Sequence, residues 1–151
     1  MTAFVTAGAG FLLAVLWFDL MFDVQTLRQR AADPLPEPVL TSISTYYARV
    51  TTAARPMNRL IALTMLATTA AIVVQLAEDD APNWVAIASL VCALAAIGRA
   101  GTHTVPSAVR LGAGKGDVRE RTRLARAITR DHLFCLGAIA TVLVLQLGFA
   151  R

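Results

Sequence analysis

Four long apolar segments divide this 151-residue chain and constrain its fold more than any other feature. They run over residues 3–22, 57–77, 84–104 and 133–150. A helix needs about 20 apolar residues to cross the hydrocarbon core of a bilayer, so each segment is long enough for one crossing. The segments are continuous and rich in alanine and leucine, unlike the alternating strands of a membrane β-barrel. The pattern predicts an all-α integral membrane protein, a four-transmembrane-helix bundle.

The composition agrees with this class of protein. Hydrophobic residues make up 56% of the chain and charged residues only 16%, which is more apolar surface than a soluble core of this length can bury. The lipid bilayer is therefore the expected partner, and residues 1–151 are expected to form a single membrane domain. The first segment lacks a basic leader and a cleavage site, so we expect it to be retained as a helix.

The basic residues predict the orientation of the helices. The connection between the second and third segments is short and acidic, at Glu78–Asp80. By the positive-inside rule, loops 24–56 and 105–131 are cytoplasmic and both termini extracytoplasmic, in the cell (inner or plasma) membrane. The net charge of +4 is then a topology signal and indicates no nucleic-acid partner. The basic residues concentrate before the second and fourth segments, at Arg28, Arg30, Arg49, Arg55 and Arg59, and at Arg110, Lys115, Arg119, Arg121, Arg123, Arg126 and Arg130, whereas Arg151 lies beyond the opposite face.

Both basic connections contain further helical patterns. Residues 39–55 form an amphipathic repeat, expected either to lie at the cytoplasmic membrane surface or to continue into the second span with a kink at Pro56. Asp117 and Glu120 have the spacing of a helix N-terminal capping box, which predicts a fourth helix that starts well before the membrane. Its first third is expected to protrude into the cytoplasm as a solvated, charged extension.

Five ionisable residues are expected to form a polar site near the cytoplasmic end of the bundle. Counted at about 1.5 Å per residue, Asp19 and Arg99 lie at the same depth, one turn inside the membrane, and are predicted to pair. Asp23, His103 and His132 fall one layer closer to the cytoplasm, where Asp23 marks the exit of the first helix. Ionisable groups at such depths need partners and mark functional sites by default.

Several interpretations of this site remain open at the sequence level. The leading hypothesis is binding or translocation of a small ion or solute. The alternatives are an intramembrane oxidoreductase or oxygenase-like enzyme with a lipophilic substrate, and a structural membrane subunit in which the polar pairs fix helix rotation. Asp23, His103 and His132 are weak candidates for a metal site, because no spacing places two strong ligands on one helix. No cofactor is assigned.

Uncharged polar and small residues suggest how the helices pack. Gln75 and Gln146 are expected to hydrogen-bond between spans. Small residues recur along the first span, at Ala3, Ala7, Gly10 and Ala14, and along the third, at Ser89, Cys92, Ala93, Ala96 and Ala100. These stripes fit packing within one bundle as well as a homo-oligomer.

Two stretches near the end of the chain resemble a known family. They are HTVPSAVRLGAG at His103–Gly114 and RAITRDHLFCLGAIATVLVL at Arg126–Leu145. They resemble the anthrone-oxygenase-like four-span membrane protein family, of mostly unknown function. The shared features are a polar residue, a proline and a small loop motif at the inner end of the third span, followed by a basic entry to the fourth. The resemblance covers the last third of the chain. It implies that His103 and Pro106 occupy the matching polar positions and that the substrate is a small hydrophobic aromatic or lipid-like molecule.

Overall fold

The computed structural model describes residues 1–150, apart from the side chain of Arg55. Its helices are α1 (Thr2–Arg28), α2 (Glu37–Ala48), α3 (Arg55–Ala77), α4 (Asn83–Arg99), α5 (Val105–Gly112) and α6 (Val118–Phe149), with π-helical segments at Arg49–Ala53 and Ala100–Thr104. No strand occurs in the described range. Four helical stretches are long and apolar enough to cross a membrane, the third being the continuous run Asn83–Gly112. The predicted four-helix membrane bundle is confirmed.

The four long helices pack in the cyclic order α1, α3, α4, α6. Each of α6 and α3 packs against both α1 and α4. The helices α1 and α4 therefore lie on a diagonal, and within the described residues they make no direct packing contact. The apolar core between the four helices consists of Val5, Ala9, Leu12, Ala71, Ile72, Ala93, Ala96, Cys135, Ile139 and Val142.

The two ends of the bundle differ in construction. At one end, called the outer end here, the amino terminus bonds to the Asp80 carboxylate, and the Thr2 hydroxyl donates to the Ala150 carbonyl at 3.4 Å. Both ends of the described chain and the α3–α4 turn thus lie together. The opposite end, called the inner end, carries α2 and α5. Arg151, which the charge argument uses, lies outside the described residues.

A second apolar core closes the inner end. The apolar face predicted for α2 exists, and its buried residues are Leu40, Ile43 and Tyr47. That face packs against α5 and α6, so protein covers the surface that was expected to meet lipid. The chain then continues through the π-helical segment to a break at Ala54, and Pro56 sits in the first turn of α3, where its missing N–H is tolerated. The helical run thus breaks at Ala54, two residues before the predicted kink at Pro56.

The helix α6 begins where the sequence predicts, and one side of its first third is buried. The Asp117 side chain accepts from the Glu120 backbone N–H at 2.7 Å, which confirms the capping prediction. Segment 105–131, expected as a loop, is helical except for the turn at 113–117, where Gly114 and Gly116 have positive φ values of 65° and 100°. The predicted solvated face is present on one side, where Arg119 and Arg123 are exposed, whereas α2 and α5 cover the other side and bury Thr122, Leu124, Ala125 and Ile128.

Candidate functional site

Two consecutive residues of α6, Asp131 and His132, organise the polar groups at the inner end. Neighbouring residues of an α-helix point about 100° apart, so the two side chains face different helices. Asp131 contacts α4 residues, whereas His132 contacts Asp23 of α1. Both remain inside the bundle because α6 packs between α1 and α4. The five predicted site residues are therefore divided between two clusters, one on each side of α6.

The first cluster, called the Tyr–Asp–His cluster, contains Asp19, Asp23, Tyr46, Tyr47 and His132. The Tyr46 hydroxyl donates to Asp19 Oδ1 at 2.5 Å, and the Tyr47 hydroxyl donates to Asp23 Oδ1 at 2.8 Å. The His132 ring lies between the two carboxylates, with Nδ1 at 2.6 Å from Asp23 Oδ2 and Nε2 at 3.9 Å from Asp19 Oδ2. Each aspartate thus accepts a hydrogen bond from one tyrosine hydroxyl and faces one of the two ring nitrogens of His132.

The spacing of the two aspartates explains why they meet at one imidazole. Residues four apart on a helix lie on the same face, so Asp19 and Asp23 both point toward α2 and α6. The depth argument places Asp23 in a separate, wet layer where α1 leaves the membrane. This is wrong, because α1 continues to Arg28 and the Asp23 side chain is completely buried.

The two tyrosines act as proton donors in this cluster. Burial is the main reason that the pKa of Tyr46 and the pKa of Tyr47 are raised above the ordinary value for a phenol. The hydrogen bond to Asp19 raises the pKa of Tyr46 further, and the negative charge of Asp23 does the same for the pKa of Tyr47. Both phenols therefore stay protonated and hold the carboxylates through donated hydrogen bonds.

The second cluster, called the Arg–His–Asp cluster, surrounds Asp131, which is only 1% exposed. Arg99 Nε donates to Asp131 Oδ1 at 2.7 Å, His103 Nδ1 lies 2.5 Å from Oδ2, and the Thr104 hydroxyl donates to Oδ2 at 3.2 Å. The π-helical segment after α4 brings these groups together, because its i→i+5 hydrogen bonding places Thr104 one turn beyond Arg99 on the same side of the helix. The Thr104 hydroxyl also lies 3.4 Å from the Arg99 carbonyl oxygen.

The predicted pair between Asp19 and Arg99 is wrong. The two residues belong to α1 and α4, which lie diagonally across the bundle with α6 in contact with both. Arg99 instead pairs with Asp131 of α6, and Asp19 with Tyr46 and His132. Equal depth is a necessary condition for such a pair, but it does not identify which helices are neighbours.

The structure separates the three weak metal candidates. Asp23 and His132 lie together, whereas His103 is on the other side of α6 with Asp131. Across the described range, no group of three or more histidine, cysteine, aspartate or glutamate side chains has an arrangement that could hold a metal ion. The carboxylates are instead occupied by phenol, guanidinium and imidazole groups.

A third polar layer ties all four spanning helices together at the outer end. Gln75 and Gln146 exchange two hydrogen bonds of 3.0 Å each across the bundle. Gln75 also donates to the Thr2 hydroxyl at 3.0 Å, and Gln146 donates to the Ser89 hydroxyl at 3.1 Å. The predicted interhelical role of the glutamines is confirmed.

Sequence reasoning underestimates three residues of the site, namely Tyr46, Tyr47 and Asp131. None of the three belongs to the site predicted from the sequence. The amphipathic repeat of α2 contains a signal that could have corrected this, because it puts Tyr47 on the apolar face with Leu40 and Ile43. A phenol on a buried face needs a hydrogen-bond partner, and the aspartates of the first span are suitable acceptors.

Comparison with known proteins adds one match. A family model described as ER membrane protein SH3, that of the SHR3 chaperones, matches residues 1–150. No curated protein and no solved structure matches the chain significantly. The assignment to the anthrone-oxygenase-like family was wrong, and its implications for His103, Pro106 and the substrate are withdrawn. A proline near a helix end and a basic entry to a span meet general requirements of membrane topology, so they do not identify a family.

Proposed function

The chain belongs to the SHR3 chaperone family of ER membrane proteins, and on that premise we propose that it is a membrane chaperone for client membrane proteins. The family packages amino acid permeases, so polytopic permeases are the client class. The observation that carries the proposal is the match over residues 1–150, which includes all four spanning helices.

Family membership corrects two expectations from the sequence. Binding or translocation of a small ion or solute was the wrong function, because the family acts on membrane proteins, and neither the enzymatic nor the structural-subunit alternative is supported. The cell (inner or plasma) membrane was also the wrong compartment, since the family belongs to the ER membrane. Each polar residue that motivated the solute hypothesis has a side-chain hydrogen-bond partner inside the bundle: Asp23 bonds to His132, Asp19 to Tyr46, and both Arg99 and His103 to Asp131.

We assign Asp19, Asp23, Arg99, His103 and His132 a positioning role within one membrane domain. Their contacts join α1 to α2 and α6, and α4 to α6. Lipid chains are as apolar as the helix surfaces, so packing and polar contacts, more than the hydrophobic effect, determine which helices associate. The clusters thereby hold a fixed outer surface for contact with a client.

The exposed small-residue stripe of α1 is the client surface that we propose. Ala3, Ala7 and Ala14 are exposed to lipid, whereas the matching stripe of α4 is used inside the bundle at Ser89 and Ala93. Small side chains allow the backbone of a second helix to approach closely. A client helix, or a second copy of the chain, would find such a surface on α1.

The orientation that we propose places the inner end in the cytoplasm. The two basic connections lie there, with α2, α5 and the start of α6, while both termini and the acidic α3–α4 turn lie in the ER lumen. The positive-inside rule supports this arrangement.

An export assay tests the proposed function. In cells that lack their own family member, expression of this chain is expected to raise the amount of an amino acid permease at the cell surface, measured by surface biotinylation. Failure of a folded, ER-located chain to do so would refute the chaperone proposal.

Matched variants test the client surface separately. Ala7→Leu blocks close approach to α1 and is expected to reduce export, whereas Ala95→Leu, at an equally lipid-exposed alanine of α4, should leave export unchanged. Equal export from both variants would refute the surface on α1 and leave the chaperone proposal standing.

A further inference from the structure

Four arginines of α6 form a stripe that neither polar cluster uses. They are Arg119, Arg123, Arg126 and Arg130, spaced by four, three and four residues, which places them on one helix face. Their neighbours along the helix are largely buried, so this face is the main open side of the first third of α6. Membrane topology requires basic residues in a connection but no helical spacing among them.

The stripe separates two cavities at the inner end of the bundle. One has a volume of about 710 Å³ and lies between α6 and the α4–α5 segment. The other, of about 680 Å³, lies between α6 and the end of α1. Arg123 and Arg130 line both cavities. These two guanidinium groups are therefore accessible to a ligand on either side of the helix.

The positive charge around the cavities is only partly compensated. Three of the lining arginines have acidic partners, in the pairs Arg99–Asp131, Arg110–Glu120 and Arg126–Asp33. Within the part of the chain that the structure describes, Arg123 and Arg130 have no carboxylate partner. Each cavity has one carboxylate in its lining, Asp131 or Asp33, against four or more arginines, and a cleft with such an excess of positive charge attracts anions.

The depth of Arg130 places the membrane end of the stripe at the level of lipid headgroups. Nineteen residues separate Arg130 from Phe149, which packs against Trp84 at the outer end. At 1.5 Å per residue this is about 29 Å, close to the hydrocarbon thickness of about 30 Å. One turn deeper than Arg130, the half-exposed Phe134 gives the larger cavity an apolar wall.

We propose that Arg123 and Arg130 bind the phosphate-bearing headgroup of an anionic phospholipid in the leaflet at the inner end. Guanidinium groups match phosphate oxygens in bidentate geometry, and basic pockets beside membrane helices bind such headgroups. The acyl chains lie along Phe134. The cavity is far larger than a single phosphate, so it suits a headgroup with a further polar substituent, such as a phosphorylated inositol.

Lipid retention by the full-length chain tests this proposal. The protein is reconstituted in phosphatidylcholine nanodiscs with a phosphoinositide as minor component, and the retained phosphoinositide is measured by native mass spectrometry. The double variant Arg123→Gln with Arg130→Gln is expected to retain at least about tenfold less than the unchanged protein. The control is the double variant Arg28→Gln with Arg59→Gln, which removes the same charge from exposed arginines that line neither cavity. It should change retention less than twofold, because salt screens the attraction between exposed charges and a distant headgroup.

Each alternative result overturns the proposal. Equal loss in both double variants means diffuse attraction to the membrane surface instead of a site. If calorimetry shows that a soluble inositol phosphate binds as tightly as the lipid, the ligand is a free anion and not a lipid. Displacement of the lipid by an acidic peptide at equal concentration means a protein partner. Thermal unfolding curves of all variants confirm that folding is unchanged, as expected for exposed arginines.

Discussion

The imidazole of His132 contacts a carboxylate of α1 through each of its ring nitrogens, and its side chain is only 9% exposed. The closer partner, Asp23, is completely buried, with Nδ1 at 2.6 Å. A buried carboxylate is stabilised only while its hydrogen-bond partners remain. At the scale of single residues, the stability of the inner end therefore depends on the few hydrogen bonds that these carboxylates accept.

Replacement of His132 by alanine is expected to destabilise the protein strongly. The change leaves Asp23 with the Tyr47 hydroxyl as its remaining side-chain partner, and loss of one member of a buried pair typically costs about 3–5 kcal/mol. Thermal unfolding in detergent measures the effect. The matched control is His103→Ala, which should cost much less, because His103 is 46% exposed and Asp131 keeps Arg99. A larger effect of the His103 change would contradict this account.

The tyrosines make the inner end sensitive to alkaline pH. The chain has only two, Tyr46 and Tyr47, and the pKa of each is raised in the folded protein. A phenol whose folded-state pKa lies above its unfolded value stabilises the fold, and this contribution is lost as the pH rises above the unfolded value of about 10. We expect no tyrosinate absorbance from the folded protein at about pH 11, where the denatured chain is largely ionised. Normal titration of either phenol in the folded protein would refute the cluster geometry.

At the scale of helices, the close approach of α5 to α2 depends on one glycine. A side-chain carbon on Gly112 would lie 2.7 Å from the Ala48 backbone nitrogen and 2.8 Å from the Tyr47 carbonyl carbon. Because both are backbone atoms, no side-chain rotation relieves the contact. The position of α2 over the aspartates of α1 thus depends on the absence of a side chain on α5.

Gly112→Ala is expected to separate α2 from α5. Overpacking of this kind typically costs about 1–3 kcal/mol, although alanine favours a helix over glycine. Gly98→Ala is the control, because nothing lies within 4 Å of the added carbon, and it should leave stability unchanged or slightly increased. Unfolding midpoints of the two variants compare them. If Gly112→Ala is as stable as its control, the two helices pack less closely than described.

At the scale of the whole molecule, polar layers close both ends of an apolar core. The glutamine layer joins all four spanning helices at the outer end, and the two aspartate clusters join α1, α4 and α6 at the inner end. Between them the core is alanine, valine, leucine and isoleucine, with one cysteine. Hydrogen-bonded layers at two depths fix the register of helices that apolar packing alone would leave free to slide.

The proposed orientation predicts which amine is accessible from each side. Lys115 is the only lysine, and it lies exposed in the α5–α6 turn, whereas the amino terminus is at the opposite end. A membrane-impermeant amine reagent added to sealed ER vesicles with the cytoplasmic face outward should label Lys115 and spare the amino terminus. Permeabilised vesicles, the control, should show both labels. Labelling of the amino terminus in sealed vesicles would reverse the orientation.

The sequence by itself determined the elements whose causes are local. Apolar length predicted the four spans, the Asp117 and Glu120 spacing predicted the start of α6, and the amphipathic repeat predicted α2. The helix rise assigned the five polar residues to one end of the bundle, where the structure also has them, although it placed Asp23 in the wrong layer. The five predicted site residues were chosen as ionisable groups within or beside spans, and this criterion did not find Tyr46, Tyr47 or Asp131.

Only the tertiary structure decided which of these groups meet. Depth gives the position of each residue along the membrane normal. It does not give the order of the helices around the bundle, and no local pattern on the apolar helix surfaces predicts that order. That order places α6 between α1 and α4, gives Arg99 to Asp131 instead of Asp19, and folds α2 over Asp23. Contacts between residues about a hundred positions apart, such as Asp23 with His132, depend on this global packing and on no spacing within the chain.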